Sequence, residues 1–194
     1  MFSRYPPILW ADVLLKLILV CLLVFGAFSG LQQFEGKGFF WRLVTYPAAI
    51  LVLPVVWRVW RRQSKYPFAA DILITLPFLI DTAGNSLDLY DTVEWWDDAN
   101  HLVNWVLLSG GFGALVTRLG HGFWISAALV VGFGATTAII WEIAEYVAFI
   151  RVSPELETAY IDTLGDLTLG LLGSVVASVI SGWAARRLQS HPVP

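Results

Sequence analysis

Charge is scarce in this sequence: only 14% of its 194 residues are Asp, Glu, Lys or Arg, against about 25% in an ordinary soluble domain. Apolar residues fill the gap at 57%, and the mean hydropathy is +0.68. A chain so poor in charge cannot cover a folded body with water-compatible surface, so most outward side chains are expected to meet lipid. Cysteine is nearly absent. The single Cys21 lies in an apolar run, which excludes a disulfide framework and a thiolate metal site. A basic patch, zinc-finger spacing and a glycine-rich phosphate loop are all missing, and no nucleic-acid partner is expected. The apolar residues 14–28 have Asp12 and Lys16 at their start, and Gly26-Ala27-Phe28-Ser29-Gly30 matches a cleavage site poorly. They read as a retained first helix rather than a secretory leader.

What the chain does have is six stretches near the roughly 20 residues needed to cross the hydrocarbon core. They fall at about 9–29, 40–60, 68–89, 98–118, 122–149 and 163–185. The third carries Asp71, Asp81, Asn85 and Asp88, and spans only if those groups face the bundle interior. Positions 81, 85 and 88 follow the i, i+4, i+7 rhythm of one helix face. Pro47, Pro54 and Pro67 bend or start the second and third spans, which membrane helices tolerate.

Basic residues set the expected orientation. Arg58, Arg61, Arg62 and Lys65 surround the second link, Arg118 marks the fourth, and Arg186 and Arg187 follow the last span. The third and fifth links are mostly acidic, with Asp88, Asp91, Glu94, Asp97 and Asp98 in one and Glu155, Glu157 and Asp162 in the other. The first link, with Glu35, Lys37 and Arg42, is nearly neutral. In a six-span arrangement all three basic segments share one side, which is then the cytoplasmic one. The expectation is an all-α integral membrane protein: a compact six-helix transmembrane bundle, one domain over 1–194, with cytoplasmic N- and C-termini, in a bacterial inner membrane. Ten tryptophans sit mostly near span ends and read as an interfacial belt. Gly110, Ala114, Gly132, Gly134, Gly165, Gly170, Gly173 and Ala177 read as close helix packing in the last three spans.

The informative text is polar and lies in three places: Trp96-Asp97-Asp98-Ala99-Asn100-His101, Trp141-Glu142-Ile143-Ala144-Glu145-Tyr146 and Tyr160-Ile161-Asp162-Thr163-Leu164-Gly165-Asp166. Asp98/His101 and Glu142/Glu145 are i, i+3 pairs, whereas Asp97/His101 and Asp162/Asp166 are i, i+4, so each pair can share a helix face. The fourth and sixth spans begin, and the fifth ends, on the non-cytoplasmic side, so the pairs arrive at a similar depth. Asp81 and Asn85 approach the same level. So many ionised carboxylates are unfavourable in a low-dielectric site unless protons, basic partners or a cation offset them. His101 is the only internal base in this reading, with Arg151 just past the fifth span. A divalent metal held among Glu142, Glu145, Asp162, Asp166, His101 and Asp98 is the preferred account. An oxygen-rich set with one imidazole accepts Mn, Zn, Fe, Mg or Ca. The plain alternative makes Asp97, Asp98 and Asp162 helix N-caps. Asp71 is expected to pair with Lys65 or Arg62, and His121 and His191 have no assigned role.

Those same residues resemble the YjdF-like family of bacterial multi-pass inner-membrane proteins, over about the last 120 residues. The resemblance implies an all-helical membrane fold and transfers no activity. Three functions remain open. One is a metal-dependent enzyme acting on a lipid or lipid-linked substrate, with His101 and Asp98 moving protons. The second is a cation- or proton-coupled transporter lined by Asp81, Asn85, Glu142 and Asp166. The third is a structural or accessory subunit bound to a membrane-protein partner or to its own copies. Membrane lipids are expected contacts in all three.

Overall fold

A computed structural model of the protein describes residues 6–60 and 65–190; Arg61, Arg62 and His191 lie outside them. The described chain is helical. Six long helices are apolar enough to span a membrane: α1 (Pro7–Phe28), α2 (Phe39–Trp60), α3 (Phe68–Ser86), α5 (Trp96–Val116), α6 (Phe123–Ala148) and α7 (Ala159–Ser190). A single turn, α4 (Leu89–Thr92), joins α3 to α5. Large apolar side chains stand exposed along the outside, Phe28, Trp124 and Ile180 among them, as a lipid-facing surface requires. The protein is an all-α bundle of six membrane-spanning helices.

The halves of the bundle pack differently. Helices α1, α2, α3 and α6 meet through a conventional apolar cluster, Leu19, Leu23, Tyr46 and Ile50, against which Leu43, Phe78, Leu79 and Trp141 lie. Small residues join α5, α6 and α7. A Cβ on Gly173 of α7 would stand 2.5 Å from the Leu102 carbonyl oxygen of α5, so the two backbones touch where only glycine fits. Ser109 donates to Ser174 across that same interface at 3.1 Å. Gly134 and Gly170 also lie at contacts, but nothing stands within 4 Å of a Cβ on Gly110, Gly132 or Gly165. Instead of Gly110, Gly113 meets Ser181 of α7 and Val130 of α6, and Gly111 meets Ala70 and Ile74 of α3, because a step of one residue turns a helix by about 100°.

Helix boundaries also move. α3 stops at Ser86, and Asp88 takes a left-handed backbone (φ 59°) that turns the chain into α4, so Asp88 leaves the face shared by Asp81 and Asn85. None of the three expected caps is one: α5 has Trp95 at its N-cap position without a side-chain bond. Asp97 and Asp98 lie in its first turn, as Asp162 does in α7, where the helix dipole still favours negative charge.

Candidate metal centre

Helix α5 supplies the floor of the site. Asp97, Asn100, His101, Asn104, Trp105 and Leu108 follow the i, i+3, i+4, i+7 rhythm and line a cavity of about 30 Å³. Pro77, Phe78 and Asp81 of α3, Tyr90 of α4, and Trp141 and Glu145 of α6 close it. That volume holds a water molecule or two. The His101 ring stacks on Trp105 with centroids 5.6 Å apart and planes 3° from parallel. The Trp105 indole in turn donates to the Gly134 carbonyl at 2.9 Å, which fixes the ring that positions the imidazole. Trp105, Trp141 and Trp96 are therefore parts of the interior, not of the interfacial belt. Trp10, Trp41, Trp60, Trp95, Trp124 and Trp183 remain exposed on the outside.

His101 has carboxylates on both sides. Its Nε2 lies 3.6 Å from Asp97 Oδ1 and 3.7 Å from Asp166 Oδ1; its Nδ1 lies 3.8 Å from Glu142 Oε1. These separations are too long for hydrogen bonds. They are close to the roughly 3.4 Å between neighbouring ligands of a tetrahedral ion bound at about 2.1 Å. Two groups can hold a divalent cation: Asp97 with His101 and Asp166, and His101 with Glu142 and Glu145. Both contain the same imidazole. A neutral imidazole offers one lone pair and one N–H, so the groups compete for it. Asp98 and Asp162, predicted ligands, are exposed and fall in neither group.

The sequence reading missed Arg42, counted there as part of a nearly neutral link. It is buried in α2 and donates to Asp81 Oδ2, to the Tyr46 hydroxyl at 2.7 Å and, through Nε, to the Lys37 carbonyl at 3.0 Å. It also lies 3.8 Å from Glu145 Oε1. Tyr46 donates to Asp81 Oδ2 at 2.6 Å and Tyr90 to Oδ1 at 2.8 Å. Burial and the Asp81 charge push the Tyr90 hydroxyl far above its usual pKa, so it stays a donor. Asn85 donates to the Asp81 carbonyl at 3.0 Å. Asp81 is thus saturated by an arginine and two phenols, and Asn85 supports it. Arg42 is thus a second internal base, beside Asp81 and Glu145, while Arg151 is exposed on a short turn. The i, i+4 spacing of Arg42 and Tyr46, on the acidic side of the second span, was the available signal.

Fold and site together define a multi-pass membrane protein with residues arranged to hold a divalent cation. Residues 14–187 match the family described as "Predicted membrane protein (DUF2238)", and the chain belongs to that family. A curated relative, described as "Uncharacterized protein" of Thermotoga maritima, is 28% identical over 102 residues. The match covers 50% of this chain and 52% of the relative, so the chain spans about half the length of that relative. No solved structure matches.

Proposed function

We propose that the protein is a metal-dependent membrane enzyme whose divalent ion binds His101 Nε2, Asp97 and Asp166. Glu142 accepts the Nδ1 proton of the same imidazole. The carrying observation is the imidazole with carboxylates at both of its nitrogens and opening onto a small cavity. The Nε2 side is favoured because Glu145, on the other side, already has Arg42 as its counter-charge. A carboxylate holding the second nitrogen of a ligating histidine fixes its tautomer, and a shift of about 0.8 Å brings Glu142 into hydrogen-bond range. The ion would supply an activated water or a grip on a phosphate oxygen. Trp105 orients the ring, and the Asn104 side chain, whose Oδ1 is buried without a partner, accepts a hydrogen bond from whatever enters the cavity. Exposed Asp98 and Asp162 at the rim are the groups placed to exchange protons with water. The substrate proposed is a lipid or lipid-linked molecule that inserts only its reacting group, since the cavity is small.

The site is assigned to the non-cytoplasmic face of a bacterial inner membrane, with both termini cytoplasmic, on the support of Arg58, Arg118, Arg186 and Arg187 at the opposite side. A periplasmic reporter active when fused after Arg187 overturns that orientation. The likeness of Trp96-Asp97-Asp98, Trp141-Glu142 and Asp162-Thr163 to YjdF-like proteins is held as part of the same proposal. A second reading, cation- or proton-coupled transport, draws on the buried carboxylates near both ends of α3, Asp71 and Asp81.

The metal assignment is tested by mass-spectrometric metal analysis of protein purified without chelator, beside the Glu142→Ala/Asp166→Ala double variant. Near-stoichiometric metal lost in a monodisperse variant is expected. A parent protein that stays metal-free after addition of Mn, Zn and Fe sinks the enzyme reading.

A further inference from the structure

A second polar cluster lies at the other end of α3, away from His101. Asp71 and Asp81 are ten residues apart, about 15 Å along the helix. On α1, Asp12, Lys16, Leu19, Leu23 and Gly26 form one stripe of i, i+3 and i+4 steps, four of them buried; its Lys16 end meets Asp71 of α3 and its Gly26 end meets Phe39 of α2. Lys16 donates to Asp12 at 2.8 and 2.9 Å and to Asp71 Oδ2, where Lys65 was one expected partner of Asp71; Arg62, the other, lies outside the described residues. Tyr66 also donates to Asp71 Oδ2. Burial and the neighbouring carboxylates push the Tyr66 hydroxyl far above its usual pKa, so it remains a donor.

Asp71 is fully buried, and its two oxygens have opposite surroundings. Oδ2 accepts two hydrogen bonds; Oδ1 has no partner. One turn further along the same face, the Thr75 hydroxyl is also fully buried and unpartnered. An ionised carboxylate shares its charge over both oxygens, and leaving one buried without a donor is expensive. A neutral carboxylic acid has the observed asymmetry: a carbonyl oxygen that only accepts and a hydroxyl oxygen that carries its own hydrogen. Charge agrees with geometry. Two ionised aspartates around one lysine leave a net charge of −1 inside the bundle, whereas one proton on the pair leaves a single neutral lysine–aspartate ion pair. α5 meets this part of α3 through Gly111, against Ala70 and Ile74, and α2 meets Tyr66 through Trp57. Neither contact is a titratable side chain.

We propose that Asp12, Lys16, Tyr66, Asp71 and Thr75 form a proton-binding site in which the two aspartates hold one proton between them beside a single lysine, the unpartnered Asp71 Oδ1 and Thr75 hydroxyl being the groups open to it. Lys16 couples the two acids: removing either one leaves the other ionised as the counter-ion of the ammonium. The site does not depend on the metal reading, because none of its residues touches His101 or its carboxylates.

The test counts carboxylic-acid C=O bands by infrared spectroscopy of the detergent-purified, deuterium-exchanged protein at neutral pH. Asp71→Asn is expected to remove one band present in the parent. Asp12→Asn is expected to remove the same band while Asp71 is still in place, since Asp71 then becomes the counter-ion of Lys16. Lys16→Met is expected to add one band, both acids then being neutral. A simple ion-pair lock, with both acids ionised, predicts no change for Asp71→Asn and Asp12→Asn, and that result overturns the proposal. If Asp71→Asn does not yield monodisperse protein, the opposite responses of Asp12→Asn and Lys16→Met decide alone; an unchanged spectrum in either overturns it.

Discussion

Glu142→Gln separates the two ways in which a metal can share His101. With the ion on Nε2, Glu142 touches it only through the imidazole, at Nδ1. Glutamine still offers a carbonyl oxygen to the Nδ1 hydrogen but no charge. Partners of this kind change metal affinity about 10- to 100-fold, or roughly 1.4–2.8 kcal/mol. Asp166→Asn removes a ligand that lies 3.7 Å from Nε2, and its loss is expected to exceed that of Glu142→Gln. Glu145→Gln is expected to have the smallest effect, because Glu145 faces Arg42 and not the ion. The assay is a competition titration of purified protein with Mn or Zn against a chelating dye, with monodispersity checked for each variant. If Glu142→Gln and Glu145→Gln abolish binding while Asp166→Asn loses less than tenfold, the ion sits on the Nδ1 side and the reasoning about Arg42 is wrong.

Arg42→Met leaves Asp81 buried without its cation, and a loss of about 3–5 kcal/mol is expected. It is measured as a fall in thermal midpoint in detergent, and adding Asp81→Asn should restore most of it. A double variant no more stable than Arg42→Met alone shows that the two charges are not coupled. Gly173→Ala places a methyl against the Leu102 carbonyl. Overpacking of this kind costs about 1–3 kcal/mol, while Gly165→Ala, with open space at its Cβ, should be neutral or slightly stabilising. Equal effects of the two alanines in the same melting assay contradict the packing assigned to Gly173.

Sequence alone determined the six spans, because hydrocarbon thickness sets a length and composition that can be counted along the chain. It also determined that His101, Glu142 and Asp166 converge, since helix periodicity fixes their faces and alternating topology fixes their depth. Three things were decided only in the tertiary structure. Which residue of a glycine pair meets a neighbour depends on helix rotation, so Gly111 and Gly113 rather than Gly110 lie at contacts. Charge pairing across helices far apart in sequence, Arg42 with Asp81 and Lys16 with Asp71, depends on which helices are neighbours, and nothing local encodes that. Asp98 and Asp162 have the same residue type as Asp97 and Asp166 but lie at the rim. Asp98 turns outward because one residue rotates it about 100° from Asp97, and Asp162 lies one turn, about 6 Å, nearer the start of α7 than Asp166, so only the final placement of α5 and α7 separates ligand from rim.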